Sequence, residues 1–537
     1  MKRTLFLLVL LAASLPTLAQ EPAVGEPLSS FGEVIDVRVV NLEVVVTDRE
    51  GVRVPGLSRG DFRLLVDGRE IPIEFFTEVR EGEAMASPSA EGEGPGATSI
   101  VADGPVGTSF LVFIDNLFSL RVRRDEVLRG LKADIAQMGP EDRMAVVAYD
   151  GRKLVKLCSW IRSPDELSRA VEQAFDQRAH GINEKAALAA MEASQRLVPS
   201  DLGRGLSFDQ LVYAQQLNDR IERAVMAAVS TLRAFSQAPG RKVMLLLAGG
   251  WPASPAAYAA NSLGPVYDLR LPWHGNLYGP IIDTANRLGY TVYPVDVPGL
   301  EASGPDASAA SPTAPGLFDQ RENEIHTALR DIAASTGGRP LLNESRLASL
   351  RTVHADTRSY YWLGFTPSWR QKDQRHGVQV EVKRPDLKVR SRSGFLDMSR
   401  SAEVTMMVEH ALLFGGSPDT PKMPIAVGTG KRTSRKEMLV PLSLTIPLSS
   451  ITLLRSGNRY VTQLELRVAA MDERGDRSEI PVIPLHFDFD RPPPPSGGHI
   501  RYDTELQLRR IEQHLIVTLF DPLSGKITTA EADVGVK

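Results

Sequence analysis

The sequence predicts a multidomain protein in which a doubly wound, mainly parallel α/β sheet is flanked by an N-terminal β module and a C-terminal β-sandwich. Three observations favour this fold class. Fully apolar runs alternate with segments of helical period between about residues 108 and 368. Short alternating segments precede that region, and alternating segments separated by Gly, Pro and Asp return from about residue 400. The 537 residues leave room for three or four domains of roughly 150 residues each.

The first nineteen residues have the organisation of a secretory signal peptide. Lys2 and Arg3 precede an apolar run over residues 5–15, and residues 17–19 (Thr-Leu-Ala) present small side chains where signal peptidase reads them. That run is too short to cross a hydrocarbon core, which takes about 20 residues. No later stretch approaches about 18 consecutive apolar residues. We therefore expect a secreted protein, periplasmic or extracellular, without a membrane span after cleavage.

Residues 31–80 are assigned to a small β module. Residues 34–47 alternate like a half-buried strand, and Asp67-Gly68 joins two shorter strands, which is a strong hairpin signal. Residues 81–107 contain Gly, Ala, Ser and Pro with five acids and no base. Such a composition buries too little apolar surface to offset its ordering entropy, so we predict a flexible acidic linker.

Residues 108–368 are predicted to form the α/β domain, because fully apolar strands alternate with amphipathic helices there. The predicted strands are Ser109–Ile114, Arg143–Tyr149, Lys153–Trp160, Lys242–Leu247, Thr291–Val295 and Tyr360–Phe365, and the clearest helices are Val122–Met138, Ile281–Leu288 and Glu324–Ser335. Tyr360–Phe365 is predicted to be the last strand of the same sheet.

The remaining chain is predicted to be β structure. Residues 376–398 contain two alternating runs around Pro385-Asp386, which are too short for an independent domain, so we expect a β-hairpin that pairs with the N-terminal module. From about Arg400 the helical period disappears and five alternating segments follow. We interpret residues 400–537 as an antiparallel sandwich of immunoglobulin-like type.

Composition excludes several classes of function. The formal net charge is −4 and the pI is near 6.2, whereas nucleic-acid-binding proteins normally carry a basic excess. A single cysteine, Cys158, excludes an intramolecular disulfide framework and multi-cysteine metal sites. It lies in an alternating stretch and is interpreted as a buried apolar residue. We find no phosphate loop, paired-histidine spacing or catalytic triad, and therefore expect a protein that is not an enzyme.

Four stretches of the chain occur in an order that resembles a known family. They are VVVTDREGVRVPGLSRGDFRLLVDGREIPIEFF at 44–76, FLVFIDNLFS at 110–119, APGRKVMLLLAGGWP at 238–252, and LRDIAASTGGRPLLNES at 329–345 with SYYWLGFTPS at 359–368. Together they resemble the von Willebrand factor type A (VWA) family, specifically the secreted VWA-related proteins of acidobacteria and their neighbours. The resemblance implies a Rossmann-like VWA domain after a small β domain, and protein ligands.

The resemblance also implies a place for a metal ion. A working VWA site binds Mg²⁺ through Asp-x-Ser-x-Ser after the first strand, a Thr from a second loop and an Asp after the fourth strand, and hard oxygen ligands suit that ion. Here Asp115 and Ser119 match, but Leu117 replaces the middle serine. The second loop, His-Gly-Ile-Asn at 180–183, has no threonine, and Ala-Gly-Gly at 248–250 stands where the family has Thr-Asp-Gly.

We therefore predict a VWA-like domain with a degraded metal site and no cofactor, in a secreted protein that binds or scaffolds another protein. Two alternatives stay open. One is a metal-dependent adhesin that uses a remnant Mg²⁺ site at Asp115 and Ser119, with Asn183. The other is a hydrolase with an unrecognised site around residues 273–283 and Asp115. Trp251, and Trp273 with His274, are expected on loops that border the crevice at the strand ends.

Overall fold

A computed structural model describes residues 39–85, 104–195, 206–260, 277–298, 317–367, 372–416, 420–490 and 498–535. The chain divides into two compact units, one from Arg38 to Met398 and another that contains Ser399–Lys537. The predicted signal peptide lies outside the described residues. Within the described ranges, no helix combines the length and apolar character that a membrane crossing requires.

Fifteen strands are described in the first unit. They are β1 (Val40–Thr47), β2 (Phe62–Val66), β3 (Arg69–Ile71), β4 (Phe75–Arg80), β5 (Glu83–Met85), β6 (Gly104–Pro105), β7 (Thr108–Asp115), β8 (Arg143–Tyr149), β9 (Leu154–Ile161), β10 (Arg241–Ala248), β11 (Tyr290–Asp296), β12 (Tyr360–Phe365), β13 (Arg375–Val382), β14 (Lys388–Arg390) and β15 (Gly394–Leu396).

The α-helices described in the same unit follow the strands of the central sheet. They are α1 (Arg121–Asp134), α2 (Pro164–Asp176), α3 (Gly181–Gln195), α4 (Phe208–Ala234), α5 (Pro255–Ala259), α6 (Gly279–Leu288), α7 (Leu317–Ser335) and α8 (Ser349–Thr357). Their starts follow ordinary capping chemistry. At α2, for example, Ser163 accepts a hydrogen bond from the Glu166 backbone N–H, and proline occupies the first turn.

The central sheet has the order β11-β10-β7-β8-β9. The first four strands are parallel, and β9 pairs with β8 in the antiparallel sense, as expected from the turn at Asp150-Gly151. All eight residues of β7 are buried, which is why the segment has no alternation. The fold class is thus mixed α/β, with one mixed sheet and several antiparallel sheets.

The core on one face of this sheet lies between β7, β8 and β10 and the helices α1, α2 and α8. Phe110, Val112 and Ile114 of β7 contact this cluster, together with Val127 and Leu128 of α1. The residues that alternate with them along β7 are equally buried, because helices cover the other face as well. The carboxyl ends of the parallel strands therefore form one rim of a sheet that is covered on both faces.

The prediction for Tyr360–Phe365 was right about its bounds and wrong about its sheet. The segment is β12, but it lies between β1 and β4 in the antiparallel sheet β14-β1-β12-β4-β5-β6. Both faces of β12 are buried. A buried strand of this kind has the same apolar sequence as a parallel one, so its composition does not identify its partners.

The N-terminal β module is consequently built from two distant parts of the chain. A second sheet has the order β15-β13-β2-β3, so residues 376–398 contribute β13 and β15 here and β14 to the edge of the first sheet. The segment therefore pairs with the module as predicted, but its two runs, β13 and β14, do not pair with each other as the predicted hairpin requires. One hydrophobic cluster joins the two sheets, including Leu42 and Val44 with Leu64, Leu363 and Val380.

The predicted linker at 81–107 needs a correction. Its ends form β5 and β6, which extend the module's first sheet, because Glu83 and Ala84 pair with Pro105 and Gly104. Residues 86–103, the middle of that segment, lie outside the described residues.

The second unit consists of a helix and two antiparallel sheets. Its elements are α9 (Arg400–Phe414), β16 (Ile425–Val427), β17 (Lys431–Arg432), β18 (Glu437–Pro447), β19 (Leu454–Ser456), β20 (Arg459–Asp472), β21 (Val482–Phe489), β22 (His499–Arg509), β23 (Gln513–Phe520) and β24 (Ile527–Val534). One sheet has β22 beside β18, and the other places β20 beside β21 and β23. The prediction that helical structure ends at Arg400 was wrong, since α9 packs through Val408 and Leu412 against Ala469 and Ile516.

Candidate functional site

The rim at the carboxyl ends of the parallel strands is the candidate site, because ligands of open α/β sheets bind there. Strand β7 ends at Asp115, β10 ends at Ala248 and β11 ends at Asp296. Asp115 and Ser119 both lie at this rim and both are fully buried.

Both oxygens of the Asp115 carboxylate accept hydrogen bonds from N–H donors of the protein. Its Oδ2 accepts a hydrogen bond of 2.8 Å from the indole Nε1 of Trp251. Its Oδ1 accepts hydrogen bonds from the backbone N–H groups of Leu117, at 2.9 Å, and Phe118, at 3.4 Å. Burial raises the pKa of Asp115 to about 7, and the three donors oppose that rise. Both oxygens therefore point at protein donors.

The hydroxyl of Ser119 is likewise hydrogen-bonded within the protein. Its hydroxyl donates a hydrogen bond to the backbone carbonyl of Asp115, one turn back along the loop. Asn183, the third member of the predicted remnant, is exposed at the start of α3. In the part of the chain that the structure describes, no three or more His, Cys, Asp or Glu side chains form a group able to hold a metal. Asp115 and Ser119 as arranged here do not fit a Mg²⁺ site.

Glycines allow the loop after β7 to pack directly on its neighbours. A Cβ atom built on Gly249 would lie 2.5 Å from the carbonyl carbon of Phe118 and closer still to the Ser119 nitrogen. A Cβ atom on Gly181 would lie 2.6 Å from Ser119 carbonyl atoms. Residues 118–119 thus occupy the space that a side chain at 249 would need.

Trp251, on the loop after β10, lies at the same rim. Its side chain is fully buried and stacks on Tyr278 with ring centroids 5.8 Å apart and an interplanar angle of 11°. The Tyr278 hydroxyl donates a hydrogen bond of 2.8 Å to the Pro252 carbonyl oxygen. The sequence predicted that Trp251 lies on a loop bordering the rim, but it did not predict the hydrogen bond to Asp115. Trp273 and His274 lie outside the described residues.

A second buried pair lies at the end of β11. Asp296 is buried and its Oδ2 lies 3.2 Å from Nε2 of His326 on α7, while Glu322 lies 3.7 Å from the same nitrogen. Acid–histidine pairs orient the base in hydrolases, but they need a nucleophile beside the imidazole. None of the hydrogen bonds of the described residues joins a hydroxyl or thiol to His326. Burial raises the pKa of the Cys158 thiol to about 11, which makes it a poor nucleophile.

The Trp251–Asp115 bond gives a direct prediction. Replacing Trp251 with phenylalanine leaves Asp115 Oδ2 buried without its donor, so the variant should lose about 1–3 kcal/mol more of its free energy of unfolding than a matched Trp→Phe variant elsewhere. Trp362 is the matched control, because its indole N–H is buried and has no hydrogen-bond partner among the described residues. Urea unfolding of both variants makes the measurement, and equal losses would contradict the assignment.

Comparisons with known proteins add two weak structural likenesses. No known protein family matches the chain, and no curated protein matches it. The pilus adhesin SpaC from Lactobacillus rhamnosus GG matches 80% of this chain and 56% of its own, with 9% identity and a TM-score of 0.26. The Bacteroides uniformis β-glucuronidase 2, covalently bound to cyclophellitol-6-carboxylate aziridine, matches 34% of this chain and 19% of its own, with 7% identity and a TM-score of 0.15. The chain thus spans little more than half of the adhesin and about a fifth of the glucuronidase. At these scores neither likeness assigns a fold or a function to this chain.

Proposed function

We propose that the protein is a secreted, non-enzymatic binding or scaffold protein whose α/β domain is VWA-like and works without a metal ion. The four family-like stretches support the VWA-like reading, and the order of the central sheet is compatible with it. The C-terminal unit, with its two antiparallel sheets, would be the immunoglobulin-like module that accompanies such domains. The partner is another protein.

One observation carries the metal-free part of this proposal. In a metal-dependent adhesion site the first aspartate and the serines face the ion, which in turn binds a carboxylate of the ligand. Here the indole of Trp251 donates to Asp115, and Ser119 donates to a backbone carbonyl. A metal ion at Asp115 Oδ2 would compete with the indole N–H of Trp251, and that buried hydrogen bond stabilises the loop. Binding by this rim therefore depends on protein surface alone.

Thermal melting tests the metal-free rim. We expect the melting temperature of the chain without its predicted signal peptide to be the same in EDTA and in millimolar Mg²⁺, Mn²⁺ or Ca²⁺. An ion that binds only the folded state would stabilise it by about 2.7 kcal/mol at a hundredfold excess over Kd. A shift in the wild type that disappears in Asp115→Ala would reject the proposal in favour of the metal-dependent adhesin.

The enzymatic alternative is tested separately. A screen of generic ester, peptide and glycoside substrates should show no turnover above that of a heat-denatured sample. Turnover that is lost in Asp115→Ala would assign the rim to a hydrolase and overturn the non-enzymatic proposal. Turnover that survives in Asp115→Ala, but is lost in a variant within residues 273–283, would overturn it as well.

A further inference from the structure

A groove of about 590 Å³ lies between two strands of the N-terminal β module that do not pair with each other. Val378 and Val380 of β13 line one side, and Val389 and Arg390 of β14 line the other. Arg330 near the C-terminal end of α7 and Arg339 in the turn after it also line the groove. The groove is distant in sequence from the Asp115 rim and shares no lining residue with it.

Strand β13 presents a free edge to this groove. Its first residues, Arg375–Gly377, pair with β15, but residues 378–382 pair with β2 alone. The Val378 N–H donates to the Ser393 carbonyl, on the side away from β2. Since the bonding direction alternates along an antiparallel strand, the backbone groups of Val380 point to the same side. Among the described residues, no strand pairs with that side beyond Val378. A free edge of this kind accepts an added strand.

The charged residues that line the groove are all positive. Four arginines line it, Arg330, Arg339, Arg390 and Arg392, and none of its lining residues is acidic. Arg390 is compensated by Asp356, with 2.6 Å between Nη2 and Oδ2. Arg330 and Arg339 are exposed, and no ion pair joins either of them to a carboxylate of the described residues. The local positive charge contrasts with the net charge of −4 of the whole chain.

We propose that this groove binds an extended acidic peptide segment of a partner protein. The segment adds a strand beside β13, with its backbone on the free groups of Val380 and its carboxylates against Arg330 and Arg339. Val389, which is half-buried, contacts the apolar residues of the added strand, whereas Val378 and Val380 belong to the core of the module. A free strand edge and an apolar floor suit a peptide better than a sulfated glycan or a nucleic acid, because those polyanions cannot complete a β-ladder. The inference goes beyond the proposed function, since it concerns a separate surface and names the partner's chemistry.

Fluorescence anisotropy with a labelled heptapeptide of sequence EVEVEVE tests this inference on the chain without its predicted signal peptide. The peptide should bind, and the affinity should fall at least tenfold in the double variant Arg330→Glu/Arg339→Glu. The matched control is Arg129→Glu/Arg435→Glu, which reverses two exposed arginines elsewhere and should leave the affinity unchanged. The melting temperature of each variant checks that it is folded, as expected for exposed positions.

Two further probes separate strand addition from attraction between charges. The peptide EPEPEPE keeps the carboxylates but lacks half of the backbone N–H donors, and it should bind at least tenfold more weakly than EVEVEVE. Equal binding of the two peptides, or a heparin fragment that binds as tightly as EVEVEVE, would assign the groove to polyanions and overturn the inference. So would no binding of EVEVEVE at millimolar concentration. All these measurements leave the metal test at Asp115 unaffected, so the two proposals fail independently.

Discussion

Replacing Asp356 with alanine is expected to lower the free energy of unfolding by about 3–5 kcal/mol at neutral pH. This buried carboxylate on α8 holds three partners, each at 2.6 Å: Nη2 of Arg53, Nη2 of Arg390 and the hydroxyl of Tyr293. Removing it leaves two guanidinium groups facing each other with no compensating charge. The cost is large because the charges that remain are largely withdrawn from water.

The same variant should change the pH dependence of stability. Burial by itself would raise the pKa of Asp356, but Arg390 and Arg53 outweigh it and hold this pKa well below the ordinary value of 3.8. A carboxyl group with a depressed pKa stabilises the fold at every pH above its unfolded pKa and loses that contribution as the pH falls. The difference between wild type and Asp356→Ala should therefore be constant above about pH 5 and shrink below about pH 4.

The control for this prediction is Asp283→Ala. Asp283 pairs with Arg375 at 2.7 Å, but both side chains are substantially exposed, so its loss should cost less than about 1 kcal/mol. Chemical unfolding at several pH values measures both variants. Equal losses in the two variants would show that the Asp356 cluster contributes no more than a surface ion pair.

Replacing Gly249 with aspartate should destabilise the protein rather than create a metal site. The new Cβ atom would lie 2.5 Å from the Phe118 carbonyl carbon, and backbone cannot yield as a flexible side chain does. Overpacking of this kind costs about 1–3 kcal/mol or more. The clash is with backbone atoms on a half-buried loop, so we expect a loss of about 3 kcal/mol.

The neighbouring glycine supplies the control. A Cβ atom on Gly250 meets only the Phe118 side chain, at 3.9 Å, which is an ordinary contact, so Gly250→Ala should be nearly neutral. Thermal melting of both variants, with and without Mg²⁺, measures their stability and any stabilisation by the ion. A Gly249→Asp variant that is as stable as the wild type, or that is stabilised by Mg²⁺, would show that the loop can reopen around an ion.

The sequence predicted correctly those elements whose apolar composition follows from burial alone. Strand β8 was predicted with its bounds, Arg143–Tyr149, because both faces of it are covered. The same reasoning misplaced β12, because its neighbours β1 and β4 are specified by topology and not by its own composition. Helix α9 was missed although Val404, Val408 and Leu412 have helical spacing, since further apolar residues around the helix obscure that period.

The candidate site was predictable only in part. The sequence predicted the position of Asp115 at the end of a buried strand. The hydrogen bond from Trp251 joins residues 136 positions apart, and no local pattern indicates it. The close approach of Gly249 to Phe118 depends on the same tertiary packing. The sequence therefore predicted where the rim lies, but not the contacts that fill it.

The N-terminal module is assembled from strands at both ends of the first unit, and this affects how the chain folds during synthesis. The Leu57 backbone N–H donates a hydrogen bond to the Tyr361 hydroxyl, and these two residues are 304 positions apart. The first strands of the module are therefore synthesised long before their partners. The last strand of the central sheet ends at Asp296, so that sheet is complete in the chain before Tyr360–Phe365 is synthesised. A nascent chain stalled before Tyr360 would carry unpaired strand edges, which invite aggregation and make this interval the natural point for chaperone engagement.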